Sequence, residues 1–519
     1  MKKLALICLF ALIVLGKNLF AQYHDANWVV STGYDSINNN TLIYFPPGIQ
    51  TPQTSLTNGF IPFGYANANI SDHHGNLLFI TNGINVYNSL YQTIPGCILQ
   101  TPYVTLWSTI GLNRPHQFIF LPWPDDTNKY VLFYCVPELQ AVSSGPCSNG
   151  WGGLSTHLYY TVLDKTLNGG LGGVVSASNI ALTDTLIHLT GLAATKHANG
   201  RDWWIVVKER CNNSFKKVLF TPSGVQYLGA QSIGPSMNED DGAVSNFSPD
   251  GTTYFQARND NNLLLYKFDR CTGLFFDPLS ISSTLPEFYS AFSPNSRFLY
   301  RNGSFTPTDI ASQYDLSLYY QPSGVQNSRR SVNPVIDSSS CYGGSPTTAS
   351  LACFPELAPD GKIYYGHCTL CNLSVINYPD SLDTLCNMVF NSLILPSPHT
   401  GMPPYFPNYK LGPLAGSNCD TLSVGVSEIP HDFQFSIYPN PTTSNEVEML
   451  YNLPMNQSGE LNMYNSTGQL VLSFQLPAFS SSQYLNLTNI SSGIYSCVLT
   501  SQGQRAVKKL VVIDGAGVK

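Results

Sequence analysis

Runs of four to eight apolar or alternating residues recur along the chain, each closed by Gly, Asn, Asp or Pro. Examples are "GNLLFITNGINVYN" (75–88), "KYVLFYCV" (129–136), "HLYYTVLD" (157–164), "RDWWIVVKE" (201–209), "KKVLFTPSGVQYLG" (216–229) and "NNLLLYKFD" (261–269). Short runs of this kind, bounded by turn residues, predict strands and hairpins. No stretch beyond the N-terminal segment sustains a 3.6-residue period. The fold class expected is therefore all-β.

A turn also repeats. "FSPDG" begins at Phe247, "FSPNS" at Phe292 and "LAPDG" at Leu357, each leading into a strand-like run. Pro presets φ for the second turn position, Asp suits the third, and Gly lets the chain leave without a Cβ clash. The spacings are 45 and 65 residues. A four-stranded propeller blade takes ~40–50 residues, so the second interval reads as a blade with an inserted loop, "SSSCYGGSPTTASLAC" (338–353). On that spacing residues 22–414 accommodate a seven-bladed β-propeller. A series of β-sandwiches with similar turns is the alternative.

Beyond Leu414 the texture changes. Residues 415–432 read as a Gly-, Ser- and Pro-containing linker, and 433–514 as a compact unit with its own strands, ending in a short tail (515–519). "GELNMYNSTGQLVLSFQL" is a hairpin around Ser466-Thr467-Gly468, and two small sheets packed face to face would bury its apolar positions.

The N-terminus has a signal-peptide layout over residues 1–21. Lys2 and Lys3 precede an apolar core, Leu4 to Gly16, and Leu-Phe-Ala stands before Gln22. Thirteen apolar residues are short for a membrane span of ~20 residues. Removing this segment removes three lysines and no acid, taking the formal charge from −7 to −10. An acidic chain lacks the electrostatic footprint of a nucleic-acid binder. No later segment predicts a membrane span, so the protein is expected to be exported and soluble once this segment is cleaved.

Thirteen cysteines in an exported chain suggest disulfides before metals. Cys135 with Cys147, and Cys341 with Cys353, are the local pairs that would close loops; Cys368 with Cys371 is tighter. His367, Cys368 and Cys371 also resemble half a zinc site, but a structural site needs four ligands and no second Cys-x-x-Cys exists. Glu239, Asp240 and Asp241 offer oxygen ligands for Ca²⁺ without the EF-hand alternation. Asp72, His73 and His74 set an imidazole beside a carboxylate, and equally make a polar hairpin turn. Arg114–His116 and Lys196–Asp202 could line a pore, although Asn199-Gly200 is itself a hairpin-turn pair. No nucleophile elbow, phosphate-binding loop or His-Glu-x-x-His pair is present. No catalytic residue, metal or cofactor is expected.

The C-terminal unit resembles the sorting domain read by the type IX secretion machinery of certain Gram-negative bacteria. The match lies in Tyr438-Pro439-Asn440-Pro441-Thr442, Tyr464-Asn465, Gly468-Gln469, Gly493-Ile494-Tyr495 and Lys508-Lys509-Leu510-Val511-Val512. The resemblance implies that machinery as a partner, passage across the outer membrane after the periplasm, and a protein secreted or held at the outer-membrane surface. The large region resembles a family of exported β-propeller proteins associated with gliding and adhesion and of no established activity. "ANISDHHGNLLFITNGINVYN" (68–88), "TVLDKTLNGGLGGV" (161–174), "TKHANGRDWWIVVKE" (195–209), "FDRCTGLF" (268–275), "ELAPDGKIYYG" (356–366), "LSVINYPDSL" (373–382) and "FPNYKLGPL" (406–414) carry that likeness.

Two functions follow as expectations. The first is a non-enzymatic surface protein that binds a glycan or an envelope or matrix protein through its blade loops. The second is an exported hydrolase or lyase acting on polysaccharide, with its site in the propeller channel.

Overall fold

The computed structural model describes residues 22–513 apart from 31–38, 48–50, 100–110, 113–115, 139–154, 237–243, 258–261, 283–288, 333–351, 368–371, 397–402, 421–434, 454–457, 478–481 and a few shorter gaps. The expected signal peptide and the tail at 515–519 lie outside the described residues. Strand accounts for 52% of the described residues and helix for 4%, an all-β protein of antiparallel sheets. No helix of the described residues is long and apolar enough to cross a membrane. The chain divides into two compact units, 1–421 and 422–519.

The described residues of the first unit form seven sheets in chain order, each built from consecutive strands paired antiparallel. They span 27–56, 68–98, 118–181, 193–232, 245–282, 290–332 and 352–394. Strand position within a sheet explains its composition. Trp203–Lys208, second in the fourth sheet, is buried at all six residues, because sheet neighbours flank it and side chains cover both faces. Leu274–Ser282, outermost in the fifth, is largely exposed, with Leu274 and Phe276 facing solvent.

Adjacent sheets share apolar seams. Val29, Ile61, Phe63, Ile80 and Tyr87 join the first sheet and its following segment to the second. A larger core holds the second, third and fourth together. Trp204, Phe215, Phe247 and Tyr266 join the fourth to the fifth, and Phe255, Leu265, Phe292 and Tyr314 the fifth to the sixth. Tyr300, Ala311, Ile363 and Ile376 join the sixth to the seventh. The seventh then returns to the first through Trp28, Ile43, Phe45, Tyr364 and Val375. Fully burying side chains of this size contributes about 1.5–3 kcal/mol each. First strands lie beside one another: Asn27–Val30 with Ala68–Ser71, Ala193–Lys196 with Ser245–Phe247, and Ser290–Phe292 with Ala352–Leu357.

The second unit packs a three-stranded sheet (Phe435–Tyr438, Glu446–Tyr451, Ser482–Asn486) on a four-stranded one (Gly459–Tyr464, Leu470–Leu476, Gly493–Ser501, Gln504–Val512). Alternation sets the faces. Phe435, Ile437, Val447 and Met449 point into one core with Leu461, Met463, Cys497 and Leu499.

Candidate functional site

Among the described residues the repeated turn is present six times, not three. In sheets two to seven it joins the first strand to the second and makes the same two backbone bonds each time. Ser248 N–H donates to the Thr253 carbonyl at 2.7 Å while Gly251 N–H donates back to Ser248 at 2.7 Å. The pair recurs at Ser293 and Ser296, Ala358 and Gly361, His197 and Gly200, and Asp72 and Gly75, and at Trp123 and Asp126. Gly75, Gly200, Gly251 and Gly361 take positive φ at the turn's fourth position, as does Ser296, which explains the recurring glycine. At the third position Asn199, Asp250, Asn295 and Asp360 each accept a backbone N–H two residues on.

These turns gather around two cavities. A cavity of about 230 Å³ is lined by Pro249, Pro294 and Pro359 from three of the turns, with Asp25, Asn246, Glu356, Asn408 and Lys410. One of about 550 Å³ is lined by His73, the Trp123–Thr127 turn and Gly200–Arg201 from the other three, with His24, Tyr130 and Lys196.

A strap of residues 403–420 closes the space among the first strands. Tyr405 donates to Asn246 Oδ1 at 2.7 Å and stacks on His116 at 4.4 Å. Tyr409 donates to the Phe120 carbonyl at 2.7 Å and meets His24 and Trp203 edge-on. Arg270 Nη2 donates to the Gly412 carbonyl at 2.6 Å, and Leu414 N–H to the Ala198 carbonyl at 2.8 Å. Cys271 and Cys419 form a disulfide across 148 residues of sequence. The first residues of the expected linker are thus tied to the first unit.

Electrostatics differ between the cavities. His116 Nε2 lies 2.9 Å from Glu356 Oε1 with both side chains 7% exposed, and burial pushes the Glu356 carboxyl above its usual range despite that partner. Burial likewise raises Asp25, whose carboxylate is 3.5 Å from Lys410 Nζ. In the larger cavity burial lowers Lys196 to about 7 and His24 to about 4. Lys196 Nζ sits 3.9 Å from the centre of the Trp203 ring and donates to the Arg201 carbonyl at 3.2 Å. Arg201 holds Asp202 at 2.7 Å and Asp125 at 3.1 Å.

The residues singled out from sequence fall out as follows. His116, Lys196, Arg201 and His73 line or abut these cavities; Arg114 lies outside the described residues. Asp72 serves its turn: burial would raise its carboxyl, but bonds from Asn76 and His74 hold it low. Cys135 does not bridge Cys147; it is a free thiol buried at the end of strand Lys129–Tyr134, sealed in the core. Cys147 lies outside the described residues, as do the Cys341–Cys353 side chains, the His367, Cys368 and Cys371 side chains, and Glu239–Asp241. Cys97, Cys386 and Cys497 are free and buried, and Cys211 is disulfide-bonded. No group of three His, Cys, Asp or Glu among the described residues is placed to hold a metal ion.

Sequence reading missed Asp25, His24, the Cys271–Cys419 bridge and Glu138. Burial would raise Glu138, but Thr156, Tyr159 and His157 hydrogen-bond it and hold it low. Three polar residues closing around one carboxylate leave no signature at fixed spacing.

In the second unit the sorting motifs, far apart in sequence, meet. Asn440 Nδ2 donates to the Lys509 carbonyl at 2.6 Å, and its Oδ1 accepts from Val511 N–H at 2.9 Å. The Tyr438-Pro439 and Asn440-Pro441 peptides are cis, and Thr442 N–H donates to Val511. Tyr438 is 76% exposed at the end of its strand. Gly468 takes positive φ in the turn held by Asn465, and Tyr495 donates to the Ser491 carbonyl, beside Gly493. Lys508 and Lys509 lie on the last strand, paired with Cys497 and Ser496.

Solved structures similar to the chain share little sequence with it. A candidate 6-phosphogluconolactonase from Bacteroides fragilis aligns at 11% identity and TM-score 0.36, covering 72% of this chain and 97% of that one. A functionally unknown protein from Desulfotomaculum acetoxidans aligns at 11% and 0.33, covering 72% and 100%. A mutant of Synechocystis apocarotenoid oxygenase aligns at 10% and 0.36, covering 73% and 92%. No curated protein matches. Residues 436–513 match the secretion system C-terminal sorting domain, so the second unit is a type IX sorting domain, which implies a secreted or cell-surface protein.

Proposed function

We propose that the first unit is a seven-bladed β-propeller, exported by the type IX machinery, whose turn-bearing face binds a glycan or an envelope or matrix protein without catalysing a reaction. Seven successive antiparallel sheets, neighbouring first strands and a seventh sheet packed on the first support the propeller. The observation that carries binding is the gathering of six turns around two cavities, three turns to each. Loops held on a rigid scaffold are the usual place for recognition. Surface adhesion is the role this arrangement would serve. The test is a glycan and envelope-protein screen on the full chain. A saturable partner supports the reading; its failure is no partner combined with turnover of a polysaccharide panel.

A second reading has one observation in its favour. Asp25 and Glu356 line the same cavity and burial raises both, as in acid–base pairs of hydrolases. Each carboxylate already has a cationic or imidazole partner, which favours a structural role. Polysaccharide turnover lost in both Asp25→Asn and Glu356→Gln would establish the enzyme instead.

A further inference from the structure

The larger cavity carries more than a general binding role. We propose that it takes one neutral, hydroxyl-bearing sugar ring, held by Trp123, His24, Lys196 and Arg201. This rests on the binding reading above and names the ligand class of one of its cavities.

The cavity, about 550 Å³, lies within the ~300–1,000 Å³ of small-molecule sites. Its inner wall offers complementary groups. Lys196 is 4% exposed, yet its side-chain nitrogen makes one hydrogen bond, to the Arg201 carbonyl. An ammonium has three N–H donors and the neutral amine two, so in either form Lys196, which burial brings to about 7, retains a donor for a ligand oxygen. His24 Nδ1 lies 2.7 Å from the Ser71 carbonyl, which can only accept, so Nδ1 carries the proton. Nε2 is then an acceptor, and the imidazole stays neutral at pH 7 because burial holds it at about 4. A hydroxyl both donates and accepts, and matches this pair.

Trp123 supplies the apolar surface that a sugar's C–H face requires. Its ring is fixed by Nε1 donating to the Pro222 carbonyl at 3.3 Å and by edge contact with Phe220 at 5.1 Å. At the rim Arg201 is positioned by Asp125 and Asp202. Charge decides against anions. The lining sets Asp125 and Asp126 against Arg201 and a Lys196 that burial brings to about 7, so it carries no excess positive charge, and neutral His24 Nε2 needs a donor that a carboxylate or phosphate group lacks. A uronate or phosphate would find the cations of the mouth already engaged, Arg201 by Asp125 at 3.1 Å and Lys129 by Asp126 at 2.8 Å.

The test is calorimetric titration of the full chain with cellobiose, lactose, maltose and chitobiose, and with glucuronic and galacturonic acid. A thermal melt of each variant confirms folding. Binding of at least one neutral disaccharide is expected, with the acids weaker by about tenfold or more. Trp123→Ala should abolish binding. Lys196→Met should weaken it about tenfold, the scale of one buried hydrogen bond with its unpaired partner. Asp125→Asn, at the exposed rim, keeps the fold if Trp123→Ala does not, and should weaken binding about threefold. Neutral-sugar binding unchanged in Lys196→Met and Asp125→Asn overturns the assignment to this cavity and leaves the face reading intact. Tighter binding of the acids overturns the ligand class. An envelope protein captured with no sugar bound overturns the inference alone, and no partner of any kind overturns both.

Discussion

Replacing Cys271 and Cys419 with serine leaves the strap seated by Arg270, Tyr405 and Tyr409 but frees the unfolded chain. The bridge closes a loop of 148 residues, for which the chain-entropy relation gives about 5 kcal/mol at 25 °C as an upper bound, with ~2–4 kcal/mol typical. The first unit has about 400 residues, and ~2.1 cal/mol/K per residue makes each kcal/mol worth roughly 1.2 °C. The melting temperature should therefore fall by about 2–6 °C. Scanning calorimetry on the full chain, wild type against the double serine variant, reads this directly. Reductant is a poor substitute, because Cys211 is bridged as well. A shift under about 1 °C would mean that the strap ends are already fixed in the unfolded chain, or that the clasp does not form.

Other outcomes follow from the same geometry. Tyr409→Phe loses the bond to the Phe120 carbonyl and should cost about 1–3 kcal/mol, read as a shift in urea midpoint at unchanged slope. His24, ordinarily near 6.5, is held at about 4 when folded, so the folded state binds fewer protons in that window. Stability is complete above pH 6.5 and is lost as pH falls toward 4. His24→Asn should flatten that stretch of the urea-midpoint profile, with raised Asp25 and Glu356 acting in the opposite sense as pH rises through their own range. Asn440→Ala removes both ties between the Pro-Asn-Pro segment and the last strand, and should lower the yield of surface-delivered protein in fractionated cells. Deleting residues 433–519 should leave the protein in the periplasm.

How far the sequence reaches depends on where the determinants lie. Strands such as Trp203–Lys208 and Asn262–Asp269 were legible because their apolar runs are local. Three turns were legible through Pro, and Asp or Asn, at consecutive positions. "DHHGN" and "HANGRD" were legible as hairpin turns but not as copies of this one, because they build its backbone bonds without Pro; "WPDDTN" has Pro and Asp in place, but Asp126 stands where the others have Gly or Ser and the positive φ falls at Asp125. "FPNYKLGPL" was recognisable as a segment, but its role as a strap depends on Phe120, Trp203, Asn246 and Arg270, distant in sequence. Gly and Ser around Cys419 imitate a linker by composition, while the disulfide holds that cysteine to a turn in the fifth sheet. Proximity misled at Cys135: a nearby cysteine is no help to a thiol whose side chain points into the core. The sorting motifs were legible as residues, but not their meeting at Asn440, which pairs the two ends of the unit.

The most direct measurement is hydrogen exchange of the full chain with and without a saturating partner taken from the glycan and envelope-protein screen. Exchange should slow in the turns at 72–76, 122–128, 196–202, 248–251, 293–296 or 358–361 and in the strap at 405–411, with outer strands such as Leu274–Ser282 unchanged. Protection confined to outer strands, or no partner at any concentration tested, would contradict a propeller that binds through its turn-bearing face.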